Sequence, residues 1–187
     1  MIYPKKIKSK KIDVFLKIFT YSLILVSIIL VVINKLTTPD IYWSFLCIFG
    51  FIYITLTVRY SVTKTRNIAG HVMIQTILLS ALMFFIDYHI GYSSWSVNIS
   101  WPILIMISNV AMFVITIVSY KNYEKYAISQ LIIVLLSLSM IYLVYKGYAK
   151  ANVLINIAII ISIFNFQVSL LLCYRDFKEE IIKRFNI

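Results

Sequence analysis

Four side chains that could bind a ligand lie close together in residues 87–100, between two long apolar segments. They are Asp87, His89, Trp95 and Asn98. A carboxylate and an imidazole beside an indole and an amide predict a site for a cation, a peptide or a lipid headgroup. One aspartate and one histidine are too few ligands for a metal site, so we expect neither a metal nor a cofactor. The alternative interpretation is a capped structural loop.

A second group of polar side chains falls inside the apolar segments. It comprises Gln75, Asn109, Asn165 and Gln167, and Ser162 and Ser169 share one helical face with Asn165. Amides and hydroxyls in such segments most often hydrogen-bond to neighbouring helices, at about 0.6 to 2 kcal/mol each. The sharper alternative is a polar path or substrate cavity lined by the four amide side chains.

The distribution of ionisable residues argues against an enzyme. Asp, Glu, Lys and Arg do not occur near the centre of any apolar segment, whereas ion-coupled transporters usually carry such residues there. His71 and His89 stand at opposite ends of one segment, and neither has a partner at a spacing that would pair a nucleophile with a base. We therefore expect no catalytic residues.

The composition indicates that the bilayer is the main solvent of the chain. Hydrophobic residues make up 61% of it and charged residues 13%, and the mean hydropathy is +0.91. The apolar residues come in blocks of roughly 18 to 22, about the length of a helix that crosses 30 Å of hydrocarbon. The strands of a membrane barrel alternate over about 10 residues, whereas residues 23–33 are apolar almost without interruption.

These blocks predict an all-α polytopic membrane bundle of about six helices, in a single integral membrane domain over residues 1–187. The predicted spans are residues 14–34, 41–58, 68–86, 101–120, 126–145 and 153–174. Asp40 is expected to cap the second span, and Pro102 to lie in the first turn of the fourth. The tail, residues 175–187, has apolar residues at helical spacing and is expected to continue the last helix.

The orientation follows from the positive charges, because Lys and Arg near span ends are retained on the cytoplasmic side. An N-terminus inside the cell places 15 of the 18 Lys and Arg residues in cytoplasmic segments, and leaves Lys35, Lys146 and Lys150 outside. We therefore predict that both termini are cytoplasmic. The predicted location is the bacterial cell membrane. Trp43, Trp95 and Trp101 then all fall on the outer side, which predicts an aromatic belt at headgroup level, with ligand stacking as the alternative. The tyrosines of this predicted belt are Tyr42, Tyr88, Tyr92, Tyr142, Tyr145 and Tyr148.

The net charge of +11 is spread over four short segments beside the membrane, so it does not predict binding to nucleic acid. Anionic lipid headgroups are the expected partner of the basic N-terminus, at roughly 1 kcal/mol per basic residue. The lysines that would hold them are Lys5, Lys6, Lys8, Lys10 and Lys11. The alternative interpretation is a basic segment that only anchors the topology.

Several stretches of the chain resemble an uncharacterised membrane-protein family of low-GC Gram-positive bacteria. They are residues 65–68 (TRNI), 86–88 (IDY), 91–98 (GYSSWSVN), 102–104 (PIL) and the basic ending 179–187. Many relatives carry a short cysteine-rich, zinc-ribbon-like segment before the membrane part, and this chain begins with lysines instead. The family has no assigned activity, so the resemblance implies the topology.

The short connections and the absence of charge within the spans favour a non-enzymatic membrane protein that acts through contacts. We expect an accessory subunit of an envelope or export complex, or an immunity-type protein against a membrane-active peptide, with a membrane-protein partner or a second copy. The alternative function is a small transporter or channel, whose polar residues would line a path through the bilayer.

Overall fold

The computed structural model describes the backbone of residues 10–63, 67–118 and 126–185. Side chains are described over residues 11–63, 67–118 and 126–171 and at Ile182. The helices are α1 (Lys10–Thr37), α2 (Trp43–Thr63), α3 (Ile68–Ile90), α4 (Trp101–Val118), α5 (Ala127–Tyr145) and α6 (Val153–Phe185). A five-residue π-helical segment, Ser96–Ser100, leads directly into α4.

All six helices are long and apolar enough to cross a membrane, and the described residues contain no β-strand. A helix satisfies its own backbone hydrogen bonds, which hydrocarbon requires of any segment that spans it. The chain is therefore a multi-pass membrane protein, and the predicted all-α bundle of about six spans is confirmed. The backbone of α6 runs on through residue 185, so the expected continuation of the last helix is also present.

The stretch predicted as a loop, residues 87–100, is mostly helical, and this prediction was wrong. Helix α3 continues through Ile90 and ends where Gly91 takes a left-handed conformation with φ 113°. That conformation suits glycine, which has no Cβ to clash. The π-helical segment then begins at Ser96, so only residues 91–95 connect the two helices. The polar Asp87 suggested a helix end, but its carboxylate is buried inside the structure.

Helices α1 and α2 form one compact unit, which we call the hairpin unit. The side chain of Asn34 stabilises the turn between the two helices. Its Nδ2 donates to the carbonyl oxygens of Thr38 and Ile41 at 2.8 and 2.7 Å. Its Oδ1 accepts a hydrogen bond from the Ser44 amide at 3.0 Å. Asn34 thus satisfies an open amide of α2, the role predicted for Asp40. Asp40 lies three residues before the start of α2 and is exposed, so that prediction was wrong.

Helices α3 to α6 form the second compact unit, which we call the four-helix unit. Its apolar core has two clusters, one around Trp101, Ile105 and Met140, and one around Met112 and Ile133. Many buried positions of this unit, within these clusters and around them, hold small or polar side chains. They are Ala69, Thr76, Ser80, Ser108, Asn109, Thr116, Gln130, Ser137, Ala158, Ser162, Asn165 and Ser169. Such residues let membrane helices approach closely and bond one another.

Candidate functional site

The carboxylate of Asp87 holds the connection between α3 and α4. Its Oδ1 accepts the backbone amide of Ser93 at 3.0 Å and the hydroxyl at 3.2 Å. Its Oδ2 accepts the amide of Ser96 at 3.1 Å and that hydroxyl at 2.6 Å. Four donors match the capacity of an ionised carboxylate, and Asp87 is 1% exposed. This side chain therefore bonds to its own connection and does not face an open site.

Asn98 joins that connection to the one between α5 and α6. Its Oδ1 accepts the Lys150 amide at 2.8 Å, and its backbone oxygen accepts Nδ2 of Asn152 at 2.7 Å. Residue 102 is proline, so it has no N–H to offer the Asn98 carbonyl four residues earlier. Asn152 takes that place, and its Oδ1 caps α6 by accepting the Ile155 amide at 2.8 Å.

His89 and Trp95 lie apart from these contacts. The His89 ring stacks on the ring of Phe85, with centroids 5.7 Å apart and an interplanar angle of 16°. Trp95 is half-buried at the start of the π-helical segment. The structure thus places two of the four predicted binding residues, Asp87 and Asn98, in structural hydrogen bonds. It does not gather all four around one pocket.

The pocket at this end of the four-helix unit is aromatic, with a volume of about 470 Å³. Its described lining is Phe84, Tyr88, Tyr92, Ser96, Val97, Trp101, Leu143 and Tyr148. Phe84 meets Trp101 edge to face at a centroid distance of 5.1 Å. Ser96 lines the pocket and also bonds to Asp87, so the hydrogen-bonded connection supports the pocket wall.

The chemistry of this pocket is apolar with phenol groups at its edge. Aromatic faces accept apolar groups and cations, and the volume lies within the range of small-molecule sites, roughly 300 to 1,000 Å³. The predicted belt is corrected at one position, because Trp101 is only 8% exposed and belongs to the core. The sequence interpretation assigned Tyr88, Tyr92 and Tyr148 to the belt and missed that they line one pocket with Phe84 and Trp101. The i, i+4 spacing of Phe84 and Tyr88 was the available signal.

The intramembrane amides form a second feature, a hydrogen-bonded network across three helices. Nδ2 of Asn165 in α6 donates to the backbone oxygen and Oδ1 of Asn109 in α4, at 3.0 and 3.2 Å. Nε2 of Gln130 in α5 lies 3.4 Å from Asn165 Oδ1 and 2.5 Å from Ser169 Oγ. Nδ2 of Asn109 donates to the Ile105 carbonyl at 3.0 Å. The three amide side chains are at most 2% exposed.

Two of the four predicted path residues lie outside that network. Gln167 follows Asn165 by two residues, about 200° around the helix, and is exposed. Gln75 lines an open groove of about 310 Å³ between α3 and α4, together with His71. In that groove Thr76 and Ser108 hydrogen-bond to each other across the two helices. The structure brings Asn109 and Asn165 together, and adds Gln130, which the sequence interpretation missed.

The lysines predicted to hold lipid headgroups lie only partly within the described residues. Lys5, Lys6 and Lys8 lie outside the described residues, as does the side chain of Lys10. Lys11 begins the described side chains and is exposed at the start of α1. The role of this basic segment stays a prediction.

Comparison with known proteins adds one finding. Curated proteins and solved structures give no match to the chain. Residues 3–187 match a family of unknown function, DUF6320. That match covers both units and nearly every residue, in line with the uncharacterised family that the sequence resembles. The chain, with its six apolar helices, its amide network and its aromatic pocket, belongs to this family of unknown function.

Proposed function

We propose that the chain is a non-enzymatic membrane protein that acts through contacts with another membrane component. It would serve as an accessory subunit of an envelope or export complex, or as an immunity-type protein against a membrane-active peptide. Its place would be the bacterial cell membrane, with both termini in the cytoplasm and with anionic lipids at the basic N-terminus.

The observation that carries this proposal is the amide network of Asn109, Gln130 and Asn165. These side chains bond to one another and to Ser169 across three helices. A group that lines a transport path must exchange partners with a passing solute, whereas these amides are engaged with their neighbours. The network therefore supports a structural role for these amides. This favours a function that depends on contacts at the protein surface over transport through the bundle.

The aromatic pocket is a second, independent support for this proposal, because it offers a surface for such contacts. Large, rigid aromatic side chains contribute much contact area at low entropic cost, which is why tyrosine and tryptophan are frequent at interfaces. Tyr88, Tyr92 and Tyr148 are exposed at one end of the four-helix unit, where the charge distribution predicts the outer face. A partner's apolar or aromatic group could insert between them.

Affinity capture tests this proposal with a triple tyrosine variant and a double tyrosine control. The tagged full chain is purified from its native membrane in mild detergent and its partners are identified by mass spectrometry. We expect the wild type to capture a stoichiometric partner. A variant that combines Tyr88→Ala, Tyr92→Ala and Tyr148→Ala should fail to capture it. It should remain with Tyr142→Ala and Tyr145→Ala, which are exposed tyrosines outside the described pocket lining. Capture of no specific partner, or equal capture by both variants, would contradict the proposal.

A small transporter or channel is the second candidate, and one observation favours it. The hydroxyl of Ser162 is buried one turn from Asn165 and has no hydrogen-bond partner among the described residues. A buried polar atom of this kind often marks a position for water. Ser162→Ala removes the hydroxyl without breaking a bond. A changed ion or solute flux from proteoliposomes would support transport, and unchanged flux, also after leucine replaces Asn109, Asn165 and Gln167, would exclude it.

A further inference from the structure

The hairpin unit contains a groove between α1 and α2 whose two ends differ in chemistry. One end is a polar pocket of about 410 Å³ that holds the cationic side chains of Lys17 and Arg59. The rest of its described lining is Asp13, Leu16, Phe19, Thr20, Tyr21 and Thr55. Among the described lining residues, the charged groups are two cations and one carboxylate, which sum to one positive charge. This end lies on the side that the charge distribution predicts to be cytoplasmic.

The other end of the groove is apolar, with a volume of about 330 Å³. It shares Thr20 and Thr55 with the polar pocket and continues to Ile28 and Ile48. The hydroxyls in its lining donate to their own helices at 2.8 Å: Thr20 to Leu16, Ser27 to Leu23 and Thr55 to Phe51. The remaining surface that they present along the groove is therefore mainly hydrocarbon.

The length of the groove corresponds to one leaflet of a bilayer. Lys17 and Ile28 are 11 residues apart in α1, which is about 16 Å at 1.5 Å per residue. The hydrocarbon core of a bilayer is about 30 Å thick, so half of it is about 15 Å. The distance from the cationic end to the far end of the apolar channel therefore matches a phospholipid that lies along the hairpin within one leaflet.

We propose that this groove is a binding site for an anionic phospholipid. The phosphate lies between the Lys17 ammonium and the Arg59 guanidinium, and one acyl chain lies along Thr20, Ser27 and Thr55. Basic pockets between helices on the cytoplasmic side are the usual sites for acidic headgroups. The site differs in kind from the predicted headgroup contacts of the N-terminal lysines, because it is built from two helices and has an apolar part. A free phosphate would leave that part empty.

Lipid retention by the purified full chain tests the charged end of the site. The protein is exchanged into nanodiscs of equal phosphatidylglycerol and phosphatidylcholine, and the lipids that stay bound after extraction are counted by native mass spectrometry. The test variant is Lys17→Gln with Arg59→Gln, and the control is Lys35→Gln with Lys146→Gln. The control also removes two positive charges, at the opposite side of the predicted topology.

We expect the wild type to retain phosphatidylglycerol in preference to phosphatidylcholine. Each basic residue near an anionic surface contributes about fivefold to binding, and Asp13 offsets part of this, so the test variant should lose about tenfold of that preference. The control variant should keep it. A test variant that retains the wild-type preference, or a control that loses as much, would overturn the proposal.

A second variant tests the apolar end independently of charge. Ser27→Phe fills the groove and leaves Lys17 and Arg59 in place. We expect it to lower phosphatidylglycerol retention, while added inorganic phosphate does not displace the lipid from the wild type. Displacement by inorganic phosphate with no effect of Ser27→Phe would mean a free-anion site. Cross-linking of the Ile24→Cys variant to a second copy would mean that the groove is covered by protein. Either result overturns the proposal.

Discussion

Asp87 shows how one polar side chain can set the shape of a membrane helix end. It lies in the last turn of α3, and its carboxylate accepts four hydrogen bonds from Ser93 and Ser96. The turn that follows therefore folds back over the helix end, and the π-helical segment starts one residue after Trp95. The sequence predicted that Asp87 binds another molecule, whereas in the structure its carboxylate binds donors of its own chain.

We predict that Asp87→Ala lowers the free energy of unfolding by about 3 kcal/mol, because buried donors left unpaired cost about 1 to 3 kcal/mol each. Asp87→Asn should cost less, since one amide oxygen still accepts. Unfolding in detergent, followed by circular dichroism, measures the difference. Asp40→Ala, at an exposed position, is the control. Equal stability of Asp87→Ala and the control would show that the four bonds contribute nothing.

The amide network leads to a second prediction for single residues. Asn165→Leu removes the bonds to Asn109 and Gln130 and leaves both partners buried, so we expect a loss of about 1 to 2 kcal/mol. Gln167→Leu makes a comparable change on the exposed face of the same helix and should change stability by less than about 0.5 kcal/mol. Both variants are compared by unfolding in the same detergent. A larger cost at Gln167 would contradict the network's role.

At the scale of elements, the two units use different means of holding helices together. Helices α4, α5 and α6 each present a buried face of small, polar and apolar residues at helical spacing. In the hairpin unit, by contrast, Asn34 and Ser44 are the only buried side chains among the described residues. Polar bonds at the turn therefore supply the fully buried part of the hairpin, while the other described side chains of α1 and α2 are half-buried or exposed.

Asn34 should accordingly control the stability of the hairpin turn. We expect Asn34→Leu to speed hydrogen exchange of the amides in residues 38–45 by about tenfold, because the loss of its bonds costs about 1 to 2 kcal/mol. Exchange in α4 to α6 should stay the same. Lys35→Ala, one residue further along α1, serves as the comparison. An unchanged exchange rate at residues 38–45 would show that the turn holds without Asn34.

At the scale of the whole molecule, the topology is the prediction on which the outer and inner assignments depend. Single cysteines at Asp40 and Tyr148 should react with an impermeant maleimide added to intact cells, because both are expected outside. Single cysteines at Thr63 and Ile182 should react only after the membrane is opened. All four positions are exposed in the structure, and Cys47 and Cys173 are replaced by serine beforehand. Labelling of Thr63 in intact cells would reverse the orientation.

The aromatic pocket and the hairpin groove place possible contacts in different units and at opposite predicted faces. Tyrosines frame the pocket at the predicted outer face, and Lys17 and Arg59 line the groove at the predicted inner face. A protein that acts through contacts can use one for a partner and the other for lipid. Loss of partner capture without loss of lipid retention would separate the two roles.

The helices themselves were predictable from composition and the length of apolar blocks. Hydrocarbon leaves a long apolar segment few alternatives to a helix, so their number and approximate positions follow without any knowledge of packing. Their ends were less predictable. The polar residue at position 87 suggested the end of α3, yet α3 reaches Ile90, because a polar group can be buried wherever later residues supply its hydrogen bonds.

The sites depended on the tertiary structure. The sequence identified Asn109 and Asn165 as intramembrane amides, and periodicity placed Ser162, Asn165 and Ser169 on one face of α6. It could not reveal that Gln130 hydrogen-bonds to Asn165 and Ser169, or that Gln167 is exposed. Nor could it reveal that Asn34 accepts the Ser44 amide at the start of α2. Apolar content determines a helix through local interaction with the bilayer, whereas a hydrogen-bond partner 35 or more residues away is selected only when the helices pack.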